Sequence, residues 1–440
     1  MKRFLYIAFL FILFTGCRKE HVDLTFGEKP EERMNERLTE LRTLLKSSEN
    51  GWKANLMVGL PSSYSFYFKF EDDKLCTMIS DFTDQTATVP SQSTYRVLWT
   101  MNASLLFDSF NYITMLQEPS SQFGGVSPNG YKSDIEFEYL KQSGDSIYMR
   151  GKKYDQSLVL VKATKAESDG YMNKGLKTSM DKTKQFFIDN PYSYISIDSA
   201  GVNNMVAVDL YPGDKNTAFS TMTKEKLVRG EKSLFTFNLT GMDFTTDSVS
   251  MFGVIFKKAV WEGNRLFIHD SNGKKYEIKN HTEAVIPLNK AIGIKFKYLF
   301  SPYKTYFPGT SADGLTILKR YHDGLLNGTG FPFNYGDLYF TWDSFNQRVN
   351  LIGFSSQNGG ASGWNTTIGF SYVFDEASQT FKFSKRSNAT GGYVSAIMDQ
   401  MEKFLLESSF KLDYYEESGV SYGRITGVEK PGVVMTFMLL

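Results

Sequence analysis

Cysteine is almost missing from this chain. Its 440 residues include two, Cys17 and Cys76, so a disulfide-stapled scaffold is excluded. A chain this long can bury a sufficient core without such staples. Histidine is nearly as scarce. His21, His269, His281 and His322 are the only four, and none sits in a His-Glu-x-x-His helix or a Cys/His ligand pattern. Protein-type zinc catalysis is therefore disfavoured, and no metal and no cofactor are expected. Neither a Gly-x-Ser-x-Gly elbow nor a Walker A loop occurs. Charge of one sign is absent as well: 49 Lys+Arg against 48 Asp+Glu leave +1. That balance excludes a basic nucleic-acid protein and an acidic tail. Proline is sparse at 12, and hydrophobic residues make up 41%, the composition of a folded core.

What the chain has in quantity is aromatic side chains: 37 Phe, 25 Tyr and 5 Trp, 15% of all residues, alongside 36 Gly. Aromatic residues suit a pleated, half-buried surface, so the composition leans toward β-structure. At 440 residues, two or three domains are expected.

The N-terminus carries an address. Met1-Lys2-Arg3 is a positive segment, and Phe4 to Phe14 is an unbroken apolar run. That run is too short for a bilayer span, which needs about 20 residues, but it fits a signal-peptide core. Thr15-Gly16-Cys17 follows directly and looks like a bacterial lipobox, in which the cysteine is diacylated and becomes the first mature residue. Two acyl chains suffice for stable anchoring. Cleavage before Cys17 removes Lys2 and Arg3, and the net charge falls from +1 to −1. The expected product is a near-neutral globule held to a membrane by the lipid on Cys17. Cys76 alternates with apolar neighbours and reads as a buried small hydrophobe.

The expected organisation is a signal peptide (1–16), a lipidated tether (17–29), an N-terminal α+β domain (30–167) and a C-terminal α+β domain (168–440). Pro30-Glu31-Glu32-Arg33 opens a helix, Met34, Leu38, Leu41 and Leu45 recur at helical spacing, and Asn50-Gly51 stops it. Further helices are expected at about 168–189 and 392–407. Between them the pattern is β. Tyr64, Phe66, Phe68 and Phe70 alternate, as do Asp134-Ile135-Glu136-Phe137-Glu138-Tyr139. Ser271-Asn272-Gly273 is a hairpin turn. Later strands read at 292–300, 337–343, 349–354, 367–374 and 380–384. The fold class is α+β and β-rich, with antiparallel sheets each packed with an amphipathic helix.

One series of segments resembles a known family. Lys29-Pro30-Glu31-Glu32-Arg33, Asn50-Gly51-Trp52, Phe68-Lys69-Phe70, Met78-Ile79-Ser80-Asp81, Ser93 to Val97, Leu106 to Asn111, Asp134 to Tyr139 and Met149 to Lys153 follow one another in order. That series resembles the uncharacterised Bacteroidota lipoproteins of domain-of-unknown-function family 4302. The resemblance is specific over about 17–165 and looser beyond. It implies an envelope lipoprotein, on the periplasmic or surface face of the outer membrane, encoded near SusC/SusD-type nutrient uptake systems. It implies no activity and no catalytic residues. Relatives often carry a histidine after the Phe-Asp-aromatic-Asn segment, whereas Ile113-Thr114-Met115-Leu116 has none.

Two residue sets could carry function. Trp261, Trp342 and Trp364 each place an indole beside polar turn residues, the combination with which a surface holds a sugar ring or a peptide. Asp134, Glu136 and Glu138 should share a strand face at about 6–7 Å spacing, which could suit a carboxylate-dependent hydrolase. His269-Asp270 and His322-Asp323 border turns and read as solvated. Asn358 to Trp364 reads as a flexible glycine-rich loop displaying an aromatic. The leading expectation is a non-enzymatic accessory protein that binds a glycan or peptide, or docks to SusC/SusD-type uptake proteins. A hydrolase using the three acids and a structural or adhesive module are the alternatives.

Overall fold

The computed structural model describes residues 30–120, 123–246 and 249–440. The signal segment, Cys17 and the tether lie outside the described residues. Among the described residues the protein is β-rich, 45% strand and 19% helix, with three antiparallel sheets, two of them barrel-like, and six helices. Its contacts separate two compact units. Among the described residues, the first comprises 30–54, 66–79 and 90–168. The second comprises 55–65, 80–89 and 169–440.

The first barrel closes through eight strands in sequence order, from Trp52–Met57 to Ser157–Lys162. Alternation dictates this. In Ser91–Trp99, Ser93, Tyr95 and Val97 point inward while their neighbours are more exposed. The helix Pro30–Lys46 packs on Ser91–Trp99 and Ala103–Phe107. Its buried stripe is Leu38, Leu41 and Leu45, and Leu45 also receives the Trp52 indole N–H on its carbonyl at 2.8 Å. Trp52 is thus a core residue that locks the helix exit. Cys76 is fully buried in Leu75–Ser80, and burial pushes its thiol far up, so it stays a neutral thiol.

The middle sheet runs as a meander from Ser193–Ser199 to Lys275–Glu277. After Ile278 the chain pairs through Lys279–Asn280 with Ser193–Ser199, so one continuous segment serves both edges. The helix Gly175–Asp189 covers it, packing on Val228–Asn238. The helix expected at 168–189 is in fact two, Lys165–Met172 and Gly175–Asp189, broken where Lys174 takes φ +64°. The hairpin at Ser271-Asn272-Gly273 is present. Asp270 accepts the N–H groups of Asn272 and Lys274, both at 2.8 Å, and Gly273 takes φ +80°.

The third sheet closes as an eight-stranded barrel from Tyr298–Ser301 to Val434–Leu439. The strand expected at 292–300 begins only at Tyr298, because Leu288–Ala291 forms a helical turn before it. Between the first two strands lies a helix that the sequence reading lacked, Ala312–Asn327, whose N-cap Ser311 accepts the Gly314 N–H at 3.1 Å. The helix expected at 392–407 is confined to Asp399–Glu407, after a short turn at Ser395–Ile397.

Within the second unit, Lys215 and Asp81 form an ion pair that is almost wholly removed from solvent. Asp81 also accepts the backbone N–H groups of Ser65 and Phe237, each at 2.7 Å. The Lys215 ammonium lies 5.0–5.3 Å from the ring centroids of Tyr64, Phe235 and Phe237. Burial lowers the lysine's affinity for its proton and Asp81 opposes that shift. The pair thus ties a loop at 80–89 to the centre of the middle sheet, at the turn before Asn216–Met222 and at Val228–Asn238, by charge, hydrogen bond and ring face together.

Candidate functional site

The sequence-derived residues fall into different environments. Asp134 is not on a strand. The strand begins at Glu136, and Asp134 is buried before it, accepting the backbone N–H groups of Lys153, Tyr154 and Gln156 at 2.7, 3.1 and 3.3 Å. A Cβ on Gly151, the end of the strand Ser146–Gly151, would lie 2.0 Å from its carboxylate, so that strand end is packed directly onto it. Glu136 accepts the Thr100 hydroxyl at 2.6 Å and faces Lys152 at 3.4 Å, and Glu138 accepts the Asn102 amide at 2.9 Å. Each acid is engaged by its own neighbour. Among the described residues no group of three His, Cys, Asp or Glu is placed to hold a metal ion.

The histidines differ from the expected solvated state. His269 is mostly buried on Arg265–Asp270, and burial together with Lys258 and Lys275 lowers its pKa. His322 sits inside Ala312–Asn327 at 1% exposure. Tyr303, Tyr306 and Tyr321 surround it, with ring centroids 5.5–6.0 Å away. Burial pushes it down to about 4, against a smaller opposing pull from Asp323. An unfolded chain takes up this proton near pH 6.5, whereas the folded one refuses it until about pH 4. Stability is therefore lost as pH falls through that window, by about 3 kcal/mol in total from this residue. Across denaturation midpoints measured from pH 7.5 to 4, the wild type should lose about 3 kcal/mol more stability than His322→Phe as pH falls. Parallel curves would contradict the assignment.

The tryptophans divide in the same way. Trp261 donates its indole N–H to Thr183 Oγ1 at 3.0 Å, meets Phe186 edge-on, and lies under Lys182 at 3.9 Å. Trp342 is 6% exposed among Tyr372, Phe381 and Phe383, with centroids 5.4–5.7 Å away. Trp364 is 45% exposed and has different companions, Phe333 and Tyr393, each at 6.1 Å. The three indoles do not share neighbours.

Around Trp364 the third barrel builds an aromatic platform. Phe331 and Tyr393 are 45% and 49% exposed, with centroids 4.5 Å apart, and both pack on Phe333, which is buried beneath them. Three connections supply the rings. Phe331 and Phe333 follow the helix Ala312–Asn327, and the Phe333 N–H returns to the Leu325 carbonyl at 3.2 Å. Trp364 opens the strand Trp364–Asp375, paired with Ser355. Tyr393 follows Gly391 and Gly392, at φ +70° and +54°, and a Cβ on Gly392 would strike Thr366 Oγ1 at 2.1 Å.

The glycine-rich loop beside Trp364, read from sequence as flexible, is stitched by hydrogen bonds. Asn358 Oδ1 accepts the Ser356 hydroxyl at 2.7 Å and the Ser362 N–H at 3.0 Å, and Asn358 donates to Ser362 Oγ at 2.8 Å. The Gly359 N–H reaches Asn334 Oδ1 at 3.0 Å. Asn334, Gln357 and Asn365 are exposed polar residues on the same connections. Phe331 and Tyr393 were not singled out from sequence. Glycines at 328, 330, 391 and 392 flank them, the same punctuation that drew attention to Trp364.

Fold and site together define an antiparallel β-rich protein with a rigid surface aromatic cluster on its C-terminal barrel. A family model, Domain of unknown function (DUF4302), matches residues 22–263, and the chain belongs to that family. The match extends well past 165, where the sequence resemblance loosened, and ends before the third barrel. No curated protein matches the chain.

Proposed function

We propose that the protein is an envelope lipoprotein that captures a glycan on the platform of Phe331, Trp364 and Tyr393, as an accessory of a nutrient uptake system. One observation carries the reading: three half-exposed rings are held together on a buried fourth, between loops fixed by hydrogen bonds. Large apolar side chains left at a surface cost solvation, and a contiguous set of them marks a binding surface. The apolar face of a sugar ring covers such rings, while amide side chains such as Asn334 and Asn365 take its hydroxyls. Fixed loops lose little entropy on binding. The uptake context rests on the family, and the membrane location on the lipobox at Cys17.

A screen of neutral polysaccharides and oligosaccharides against the soluble form starting at Arg18 tests this. At least one glycan should bind, and Trp364→Ala/Tyr393→Ala should abolish its retention without altering the folded circular dichroism spectrum. Absence of binding across a broad panel would overturn the reading.

A further inference from the structure

A cavity of about 310 Å³ opens within the second unit, and it shares no residue with the platform. Its walls come from the end of the helix Gly175–Asp189, the strand Val202–Tyr211 and the hairpin formed by Phe410–Glu417 and Val420–Gly427. Tyr192, Tyr211 and Tyr414 line it, with Asp209, Lys295 and Glu416 as its charged groups. This size is at the lower end for small-molecule sites, and an apolar wall with few polar groups is their usual composition.

The charges are not balanced. Lys295 is spent on Asp209 at 2.6 Å, and Arg424, on the adjoining strand, grips Asp413 with two bonds of 2.8 Å. Glu416 has no such partner. Its Oε2 accepts the Ser421 hydroxyl at 2.8 Å, whereas Oε1 is sealed from solvent and accepts no hydrogen bond. Oε1 is closed to a cavity ligand as well, so what Glu416 presents there is a negative charge that no cation matches. The surrounding groups register the same field. Burial raises Glu416; the Tyr192 hydroxyl is raised by burial and further by Glu416, and that of Tyr414 by burial and further by Asp209, Tyr211 and Glu416.

We propose that this cavity binds an organic ammonium ion, its charge matched by Glu416, which no cation pairs, and its apolar part covered by the tyrosine rings. An anion would face Glu416 and Asp209 together. A neutral alcohol would supply one hydrogen bond but leave the carboxylate's charge unmatched. An ammonium supplies the opposite charge and also favours the faces of the aromatic walls. The ligand class is thus a small primary amine with an apolar or aromatic body.

The test uses benzylammonium as the probe, with benzyl alcohol and benzoate as matched neutral and anionic controls, on the full soluble protein at pH 7.5. Benzylammonium should bind by isothermal titration calorimetry and raise the melting temperature, whereas the two controls should not. Glu416→Gln keeps the side-chain shape and the Ser421 contact, and should weaken binding by about tenfold or more. Val420→Trp, which fills the mouth from an exposed position, should abolish binding by a route that spares Glu416. Trp364→Ala/Tyr393→Ala should bind benzylammonium as the wild type does, which separates this site from the platform. Absence of benzylammonium binding, equal binding of benzoate, or undiminished affinity in Glu416→Gln would each overturn the proposal.

Discussion

Replacing Asp81 by Ala should lower the unfolding free energy of the second unit by about 3–5 kcal/mol, read as a fall in the denaturation midpoint. Three losses coincide. The Lys215 ammonium is stranded among Tyr64, Phe235 and Phe237, and the N–H groups of Ser65 and Phe237 lose their acceptor. Ring faces alone do not neutralise a buried cation, because each contributes on the order of 2 kcal/mol against a desolvation cost of several kcal/mol and supplies no counter-charge. Lys215→Met in the Asp81→Asn background should cost less than the two single changes added together, since the second removal relieves the charge left by the first. A change of under about 1 kcal/mol in Asp81→Ala would show that the pair is not a structural bond, because that is the range of exposed ion pairs.

Trp342→Ala should cost a comparable amount, about 3–5 kcal/mol, as large-to-small changes of buried aromatics do. The indole fills the space between Tyr372, Phe381 and Phe383, and those rings belong to neighbouring strands that cannot close over the void without shifting their register. Below its lowered melting temperature the variant should still bind glycan with the wild-type affinity. Thermal unfolding followed by circular dichroism, with a binding assay at 15 °C, separates the two effects. Glycan binding lost in a folded Trp342→Ala would return that residue to the binding surface. Unchanged stability would contradict its place in the core.

Local patterns in the sequence foretold much of the fold. Period-two alternation located most strands of the third barrel, and Asn272-Gly273 located its hairpin in the middle sheet, because a strand face and a tight turn are each decided by adjacent residues. The helix Ala312–Asn327 had its own signals, with the Ser311 cap and then Leu318, Tyr321, His322 and Leu325 at helical spacing. His322 beside Asp323 was read instead as turn polarity, and the four-residue periodicity was passed over. Asp134 failed for the opposite reason. Alternation ran two residues beyond the ladder, and nothing local shows that its carboxylate is consumed by N–H groups 19–22 residues later.

The site was legible only where one residue carried the whole signal. Trp364 stands out, being a tryptophan after Gly-Gly-Ala-Ser-Gly. Phe331 and Tyr393 are ordinary aromatics in a chain full of them, and only barrel closure brings them to it. Lys215 and Asp81 are 134 residues apart and show no pattern at all. Similarly, the unsatisfied oxygen of Glu416 is a property of its burial, which one-dimensional reading does not contain.

The most direct measurement is calorimetric titration of the best-binding glycan into wild-type protein and into Trp364→Ala/Tyr393→Ala, with melting temperatures taken on the same samples. The expected result is a loss of at least about 2 kcal/mol of binding free energy, roughly thirtyfold in affinity, at nearly unchanged melting temperature, since both side chains are half in solvent. Equal affinity in the two proteins would place glycan capture elsewhere on the chain and contradict the function assigned to the platform.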